Sequence, residues 1–321
     1  MKDMSLMEYV FESIHDTVMK STIEDFRRFL DRYKGVSKWI ICSDYCVGDK
    51  SKPNDVICFT LFPYIIGFKE WKDFIGEMQR VDIKNTSRIS DVFCKFMKSG
   101  QTFSFCFILD REDNYFEKWK DKGVLTDTLE IYKECINNLN ERYLDNAEHY
   151  HRMGKSINNL TNQMKSKSFN VGLCQRIFVI CFLVSYIKCI LISETDKVEL
   201  FSWLSDRDSI TGFCDGIYKV LYEIISLNVC EYKHKMEEYL SIKEVMPRDP
   251  AIDNFYEEYV RVPDYLCGIL ADYDMNNNRV SKDKHLKGVE YILSDNNSLS
   301  IIRFRPNGVC RVLLGRIEGC Q

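Results

Sequence analysis

Four positions in this 321-residue chain set an aspartate at the edge of an apolar run. Asp44 follows Trp39-Ile40-Ile41-Cys42, and Asp110 closes the run that begins at Thr102. Asp206 and Asp208 follow the run from Lys197 to Ser205, and Asp264 stands just before an apolar stretch that begins at Tyr265. A carboxylate at the end of a buried strand is costly unless something pairs with it, and a metal ion is one such partner. Carboxylates converging from several elements can hold two Mg²⁺ or Mn²⁺ ions about 3.5–4 Å apart, which activate water and stabilise the leaving oxygen in phosphodiester cleavage. Without ions the same cluster repels itself and its pKa values rise. Aspartate suits the task because its short side chain fixes the metal relative to the backbone, and Mg²⁺ needs only a few carboxylates plus water. The candidates are therefore Asp44, Asp206 and Asp264, with Asp208 beside or in place of Asp206. The plainer reading is that turns and helix N-caps favour aspartate after a strand. Asp110, leading into Arg111-Glu112-Asp113, fits that reading best.

A phosphodiester substrate also needs positive charge. From His149 through Ser193 the chain has no acidic residue, while Arg152, Lys155, Lys165, Lys167, Arg176 and Lys188 are present. The C-terminal stretch adds Arg303, Arg305, Arg311 and Arg316, with Arg303 and Arg305 on one face because strand period is two. Such clusters bind phosphates, although a solvated helix face has the same composition. Arg152, Lys155, Lys165, Lys167, Arg303 and Arg305 are the expected nucleic-acid contacts. Gly154-Lys155-Ser156 looks like a fragment of a phosphate loop, but it lacks the upstream glycine and lies in a polar helical stretch.

The elements that must position these groups read as an α/β protein. Residues 5–33 carry apolar positions at helical spacing in two short helices, the second opened by a capping box at Ser21 and Glu24. Strands are expected at 37–44, 55–66 and 102–110, the first two antiparallel across a short link. A helix is expected at 69–80. A polar helical stretch at 126–164 and an apolar helix at 173–192 precede a fourth strand at 197–205, which is expected parallel to the first after its crossover. Residues 210–225 read as helix. Pro263 fits the first turn of a helix that carries Asp264, and Pro306-Asn307-Gly308 marks a terminal β-hairpin.

Composition sets bounds. Hydrophobic residues make up 45% and charged residues 29%, as in globular proteins. The net charge of −4 supplies no overall basic field, so any nucleic-acid contact must be a local patch. The fourteen cysteines contain no CxxC pair and sit mostly in apolar runs, which argues for reduced thiols in a cytoplasmic protein rather than zinc ligands. The first residues include acids where an export signal needs a bare apolar core. In the apolar helix, Arg176 and Lys188 leave only eleven uncharged residues between them, too few to span a bilayer, so a buried core helix is expected.

The order of these elements resembles the ribonuclease-H-like superfamily, in which a catalytic aspartate ends the first strand of an antiparallel trio that passes into parallel strands. More narrowly, it is similar to an uncharacterised prokaryotic branch whose first strand runs into Asp-Glu-Ser-Gly and whose closing helix carries an Ala-Asp motif. Here the opening is Cys42-Ser43-Asp44-Tyr45-Cys46 and the close is Val262-Pro263-Asp264-Tyr265-Leu266, with Leu204-Ser205-Asp206 between them. Tyr45 stands where that branch has Glu, and Pro263 where it has Ala. The resemblance implies a core at 37–275 with a helical insertion at about 126–193, preceded by N-terminal helices at 1–36 and followed by a β extension at 276–321. It implies a metal-dependent nuclease using Mg²⁺ or Mn²⁺ on DNA or RNA, in host defence or a mobile element. The alternatives are a catalytically silent nucleic-acid-binding or scaffold subunit on the same fold, and a small-molecule enzyme on an open α/β sheet.

Overall fold

The computed structural model describes residues 6–110, 116, 120–206, 209–247, 255–306 and 308–315. In chain order its helices and strands are α1 (Leu6–Ser21), α2 (Ile23–Arg32), β1 (Lys38–Cys46), β2 (Asp55–Pro63), α3 (Phe68–Met78), α4 (Asp91–Met97) and β3 (Phe103–Leu109). There follow α5 (Lys122–Arg142), α6 (Ala147–Met164), α7 (Val171–Glu194), β4 (Leu200–Ser205), α8 (Ser209–Gly212), α9 (Tyr218–Tyr232), α10 (Met236–Leu240) and β5 (Lys243–Val245). The chain closes with α11 (Glu257–Asp272), α12 (Asp283–Gly288), β6 (Leu299–Arg305) and β7 (Gly308–Val312). Two compact units divide these elements: residues 1–113, 194–206 and 241–321 form one, and 114–193 with 207–240 form the other.

The first unit holds the whole described sheet, a mixed one in the order β5-β4-β1-β2-β3-β6-β7. β1, β2 and β3 are antiparallel in succession, and β4 runs parallel to β1 on its other side. This is the pairing expected from the apolar runs and their links. The strand expected to reach Ile66 stops at Pro63, which has no N–H for the ladder. The C-terminal hairpin forms as expected from its turn, and it joins the main sheet: β6 pairs in parallel with β3, and β7 lies at the sheet edge. Three-residue β5 is too short to carry a sequence pattern.

Alternation sorts the sheet into two faces. Trp39 of β1 and Phe103 and Phe105 of β3 meet Phe26 and Phe29 of α2 through ring contacts at 5.1–6.0 Å. The opposite face offers Ile40, Cys42, Val56, Cys58, Cys106, Ile108 and Leu204 to a core built with α3, α4 and α11. Aspartate at position 44, two residues beyond Cys42, falls on this second face.

Three local expectations are corrected. No capping box forms, because Ser21 ends α1 with its hydroxyl on the Thr17 carbonyl, and the buried Thr22 hydroxyl bonds Ser300 at 2.7 Å. The polar stretch 126–164 is two helices, interrupted at Tyr143–Asn146. The helix expected over 210–225 is broken where Cys214, Asp215 and Gly216 take positive φ.

In the second unit, α7 is the one described helix long and apolar enough to cross a membrane, and 89% of its apolar window is buried inside the fold. Lys188, fully buried within it, lies 3.9 Å from the centroid of the Tyr239 ring, a cation–π placement that offsets part of its desolvation. The thirteen described cysteines are all free thiols.

Candidate functional site

The parallel register between β1 and β4 sets Ser43 opposite Ser205, and the Asp206 N–H donates to the Ser43 carbonyl at 3.1 Å. Asp44 and Asp206 are thus the next positions on neighbouring strands, whose backbones run about 4.8 Å apart. α11 packs across the face that carries Asp44, and Asp264 lies on this helix. Alternation, parallel register and helix packing therefore bring three of the four expected aspartates to one place. Asp208, the fourth, lies outside the described residues, as does Arg316.

Their charges act on one another. Burial pushes the Asp44 carboxyl well above the usual carboxylate range, and the neighbouring charges of Asp264 and then Asp206 push it further. Asp264 rises to about 6, again mainly by burial, with Asp82 and Asp206 adding to the rise. Two features oppose it: the Ile83 N–H, which donates to Asp264 Oδ2 at 2.9 Å, and the charge of Lys84, which also acts on Asp44. A site where like charges are held together against their own repulsion is a functional candidate.

Tyr45, where the resemblance has Glu, belongs to the other face. Its hydroxyl shares hydrogen bonds of 2.5 Å with Ser43 Oγ and 2.9 Å with Ser205 Oγ, and Trp203 Nε1 donates to the same Ser43 oxygen. A glutamate at 45 would point away from Asp44 by alternation alone. Pro263 is not in a first turn; it is the seventh residue of α11, buried, with no N–H to offer the Tyr259 carbonyl one turn back.

The chemistry of the three carboxylates suits a hard divalent cation, because hard oxygen donors and unrelieved negative charge are what Mg²⁺ or Mn²⁺ takes. Among the described residues, however, no three His, Cys, Asp or Glu side chains stand close enough together to form a finished ligand set. The three aspartates interact through their fields rather than as a closed coordination sphere.

Asp110 is not part of the group. It receives Arg303 Nε at 2.7 Å, and both side chains are largely buried, so Arg303 is an internal ion-pair partner rather than an open phosphate contact. Arg305 is exposed at the end of β6. Arg311 is held by Asp25 and the Ser21 carbonyl. Arg152 and Lys155 are exposed on α6, Arg152 at 4.0 Å from Glu148, and Lys165 and Lys167 are exposed just beyond the helix. All four belong to the second unit, whereas the aspartates belong to the first.

The sequence reading missed the loop from Arg80 to Ile89, which has no apolar period. Side chains from α11 and α12 hold it, and Ser90 ends it. Arg261 Nη1 donates to the Gln79 carbonyl at 2.9 Å and its Nε to Asp82 at 3.2 Å. Tyr265 donates to Val81 O at 2.9 Å, and Lys284 donates to the carbonyls of Ile83 and Thr86. Lys287 donates to Ile89 O at 2.7 Å, Asp264 takes the Ile83 N–H, and Ser90 caps α4. Its RxxxKxxxR spacing (Arg80, Lys84, Arg88) was the available signal.

Compared with protein-family models, with curated proteins and with solved structures, the chain finds no match in any of the three.

Proposed function

We propose that the first unit is a ribonuclease-H-like domain and that the chain is a divalent-metal-dependent nuclease acting on DNA or RNA. The observation that carries this reading is the meeting of Asp44, Asp206 and Asp264, from β1, from the end of β4 and from α11, in a cluster where the charges of Asp264 and Asp206 raise Asp44 and that of Asp206 raises Asp264. The strand order supports it. An antiparallel β1-β2-β3 trio flanked by parallel β4 and β5 is the order that the resemblance implies, with β6 and β7 added beyond β3.

When bound, Mg²⁺ or Mn²⁺ supplies Lewis-acid activation of water and of the scissile phosphate. Asp44, Asp206 and Asp264 would hold it, with Asp208 adjacent in sequence. The chain's own residues prepare the site. β1 and β4 fix two carboxylates at neighbouring backbone positions, and the Ile83 N–H orients the third. Lys84 adds positive charge where a phosphate would lie.

The absence of a finished ligand set among the described residues favours one second reading, a nucleic-acid-binding subunit that does not cleave. Incubation of the full chain with single- and double-stranded DNA and RNA, in Mg²⁺, in Mn²⁺ and in EDTA, separates the two. Metal-dependent cleavage that disappears in Asp44→Asn supports the nuclease. Binding without cleavage in every metal supports the silent subunit.

A further inference from the structure

The loop Arg80–Ile89 has a use that the aspartates alone do not explain. Its backbone is held at Val81, Ile83, Thr86 and Ile89, by Tyr265 and Asp264 of α11 and by Lys284 and Lys287 of α12, while Arg261 holds the Gln79 carbonyl just before it. Its middle is a tight turn, in which the amides of Asn85 and Thr86 both donate to the Asp82 carbonyl at 3.0 and 3.1 Å. Ile83 is buried in this turn, against the notch that Gly268 leaves in α11, where an added Cβ would stand 2.8 Å from Ile83 Cγ2. Backbone held this firmly is not a slack connection between α3 and α4.

The turn exposes one cation, Lys84, beside the acidic cluster, and the loop exposes Arg80 and Arg88 on either side of it. Ile83 is hydrogen-bonded to Asp264 through its own amide, so Lys84 begins one residue, about 3.8 Å of backbone, from that contact. Lys84 is exposed, and among the described residues it makes no side-chain hydrogen bond or ion pair, although its charge is felt by both Asp44 and Asp264. Arg80 is likewise exposed and without such a partner among the described residues. Arg88 is exposed and 3.7 Å from Asp91. The loop's own acid, Asp82, is taken up by the buried Arg261. An ammonium set beside two mutually repelling carboxylates, yet pairing with neither, can serve an anion that approaches them.

We propose that this loop is a phosphate-binding strap, in which Lys84 and Arg80 hold the phosphodiester backbone of a nucleic-acid strand alongside Asp44 and Asp264. The inference deepens the nuclease reading and rests on its assignment of nucleic acid as the substrate class. It moves the phosphate contacts from the exposed cations of α6 to the unit that holds the aspartates. The rigid backbone matters because a pre-positioned cation loses little freedom on binding.

The test is binding without chemistry. Anisotropy of a fluorescent single-stranded oligonucleotide is titrated with the full chain in EDTA across a salt series, and cleavage in Mn²⁺ is measured in parallel. Compared are wild type, Arg80→Gln/Lys84→Gln, Arg152→Gln/Lys155→Gln and Asp264→Asn, each checked for an unchanged or higher melting temperature. The strap variant is expected to bind about tenfold more weakly, with a salt slope shallower by about 1.4, the value for two phosphates on a single strand. The α6 variant is expected to bind as wild type does, and Asp264→Asn at least as tightly. Wild-type affinity and slope in the strap variant would overturn the proposal, as would a wild type that binds no oligonucleotide. Loss of binding in the strap variant, together with no cleavage by wild type in any metal, upholds the strap and removes the nuclease. Cleavage by wild type with unchanged binding in the strap variant does the reverse.

Discussion

Asp264 Oδ2 accepts the backbone N–H of Ile83 at 2.9 Å, so a helix residue and a loop 181 positions away in sequence share one electrostatic site. The hydrogen bond favours the charged carboxylate, but burial outweighs it and Asp264 rises from 3.8 to about 6. A carboxyl raised in this way binds its proton more tightly when folded than when unfolded. Its contribution to stability is full below the unfolded value and is lost as pH rises through about 6. Asp264→Asn mimics the protonated form and keeps an acceptor for Ile83. Discounted for partial exposure, it is expected to stabilise the metal-free protein by about 1–2 kcal/mol near neutral pH, seen as a rise in melting temperature of several degrees. The advantage should vanish near pH 4 in the same melts, and equal destabilisation at both pH values would contradict the electrostatic account.

The same repulsion sets the response to metal. A cation that binds only the folded state raises the melting temperature by mass action, so about 1–10 mM Mn²⁺ should stabilise wild type near pH 8. Near pH 5 the carboxyls of Asp44 and Asp264 retain protons that compete with the metal, and the effect should shrink. Asp44→Asn should lose most of the shift at either pH. Calorimetry at both pH values, with Ca²⁺ as a non-catalytic control, measures it.

Much of this site was legible because it depends on period and register. Ile40, Cys42 and Asp44 alternate with Trp39, Ile41 and Ser43, so the face of Asp44 follows from the strand alone. A parallel β4 then puts Asp206 beside it. What stayed hidden depends on contacts that no local pattern encodes. The loop at 80–89 is shaped by Arg261, Tyr265 and Lys284, which lie 179, 184 and 201 residues beyond their partners in it. Arg303 read as a free cation because its partner Asp110 is 193 residues away. Pro263 fits a helix start by propensity, whereas the buried packing of α11 carries the helix past it.

Gly268 gives a mechanical handle on the strap. A methyl group there would stand 2.8 Å from Ile83 Cγ2 and 3.1 Å from its Cδ1. Alanine gains about 1 kcal/mol of helix propensity over glycine, but overpacking costs about 1–3 kcal/mol. Gly268→Ala is therefore expected to be destabilising by up to about 2 kcal/mol in urea unfolding. Oligonucleotide affinity should fall as Ile83 shifts and carries Lys84 with it. A variant that is more stable than wild type and binds equally well would show that the loop is not seated in this notch.

Asp272, at the end of α11, supplies the contrasting case. It is buried, and burial alone would raise its pKa. Lys52 at 2.7 Å, the Ser281 hydroxyl and amide, and His285 Nδ1 at 2.6 Å outweigh this and hold the carboxyl below its ordinary range. Because Asp272 is thus a carboxylate, the His285 Nδ1–H donates to it. Burial holds His285 itself below its usual pKa despite that partner, so its ring is neutral at physiological pH. Asp272 therefore contributes stability above its unfolded pKa, and loses that contribution as pH falls through its folded value. His285 adds a second loss on acidification, since the unfolded imidazole takes up a proton that the folded one resists. Asp272→Asn leaves Lys52 without its charge partner, and should cost about 2–4 kcal/mol near pH 7. The gap from wild type should narrow as pH falls below about 4, where the unfolded carboxyl takes up a proton that the native one still resists. Denaturant titrations of both proteins between these pH values test the sign directly. A gap that widens on acidification would mean that the network does not hold Asp272 in its charged form.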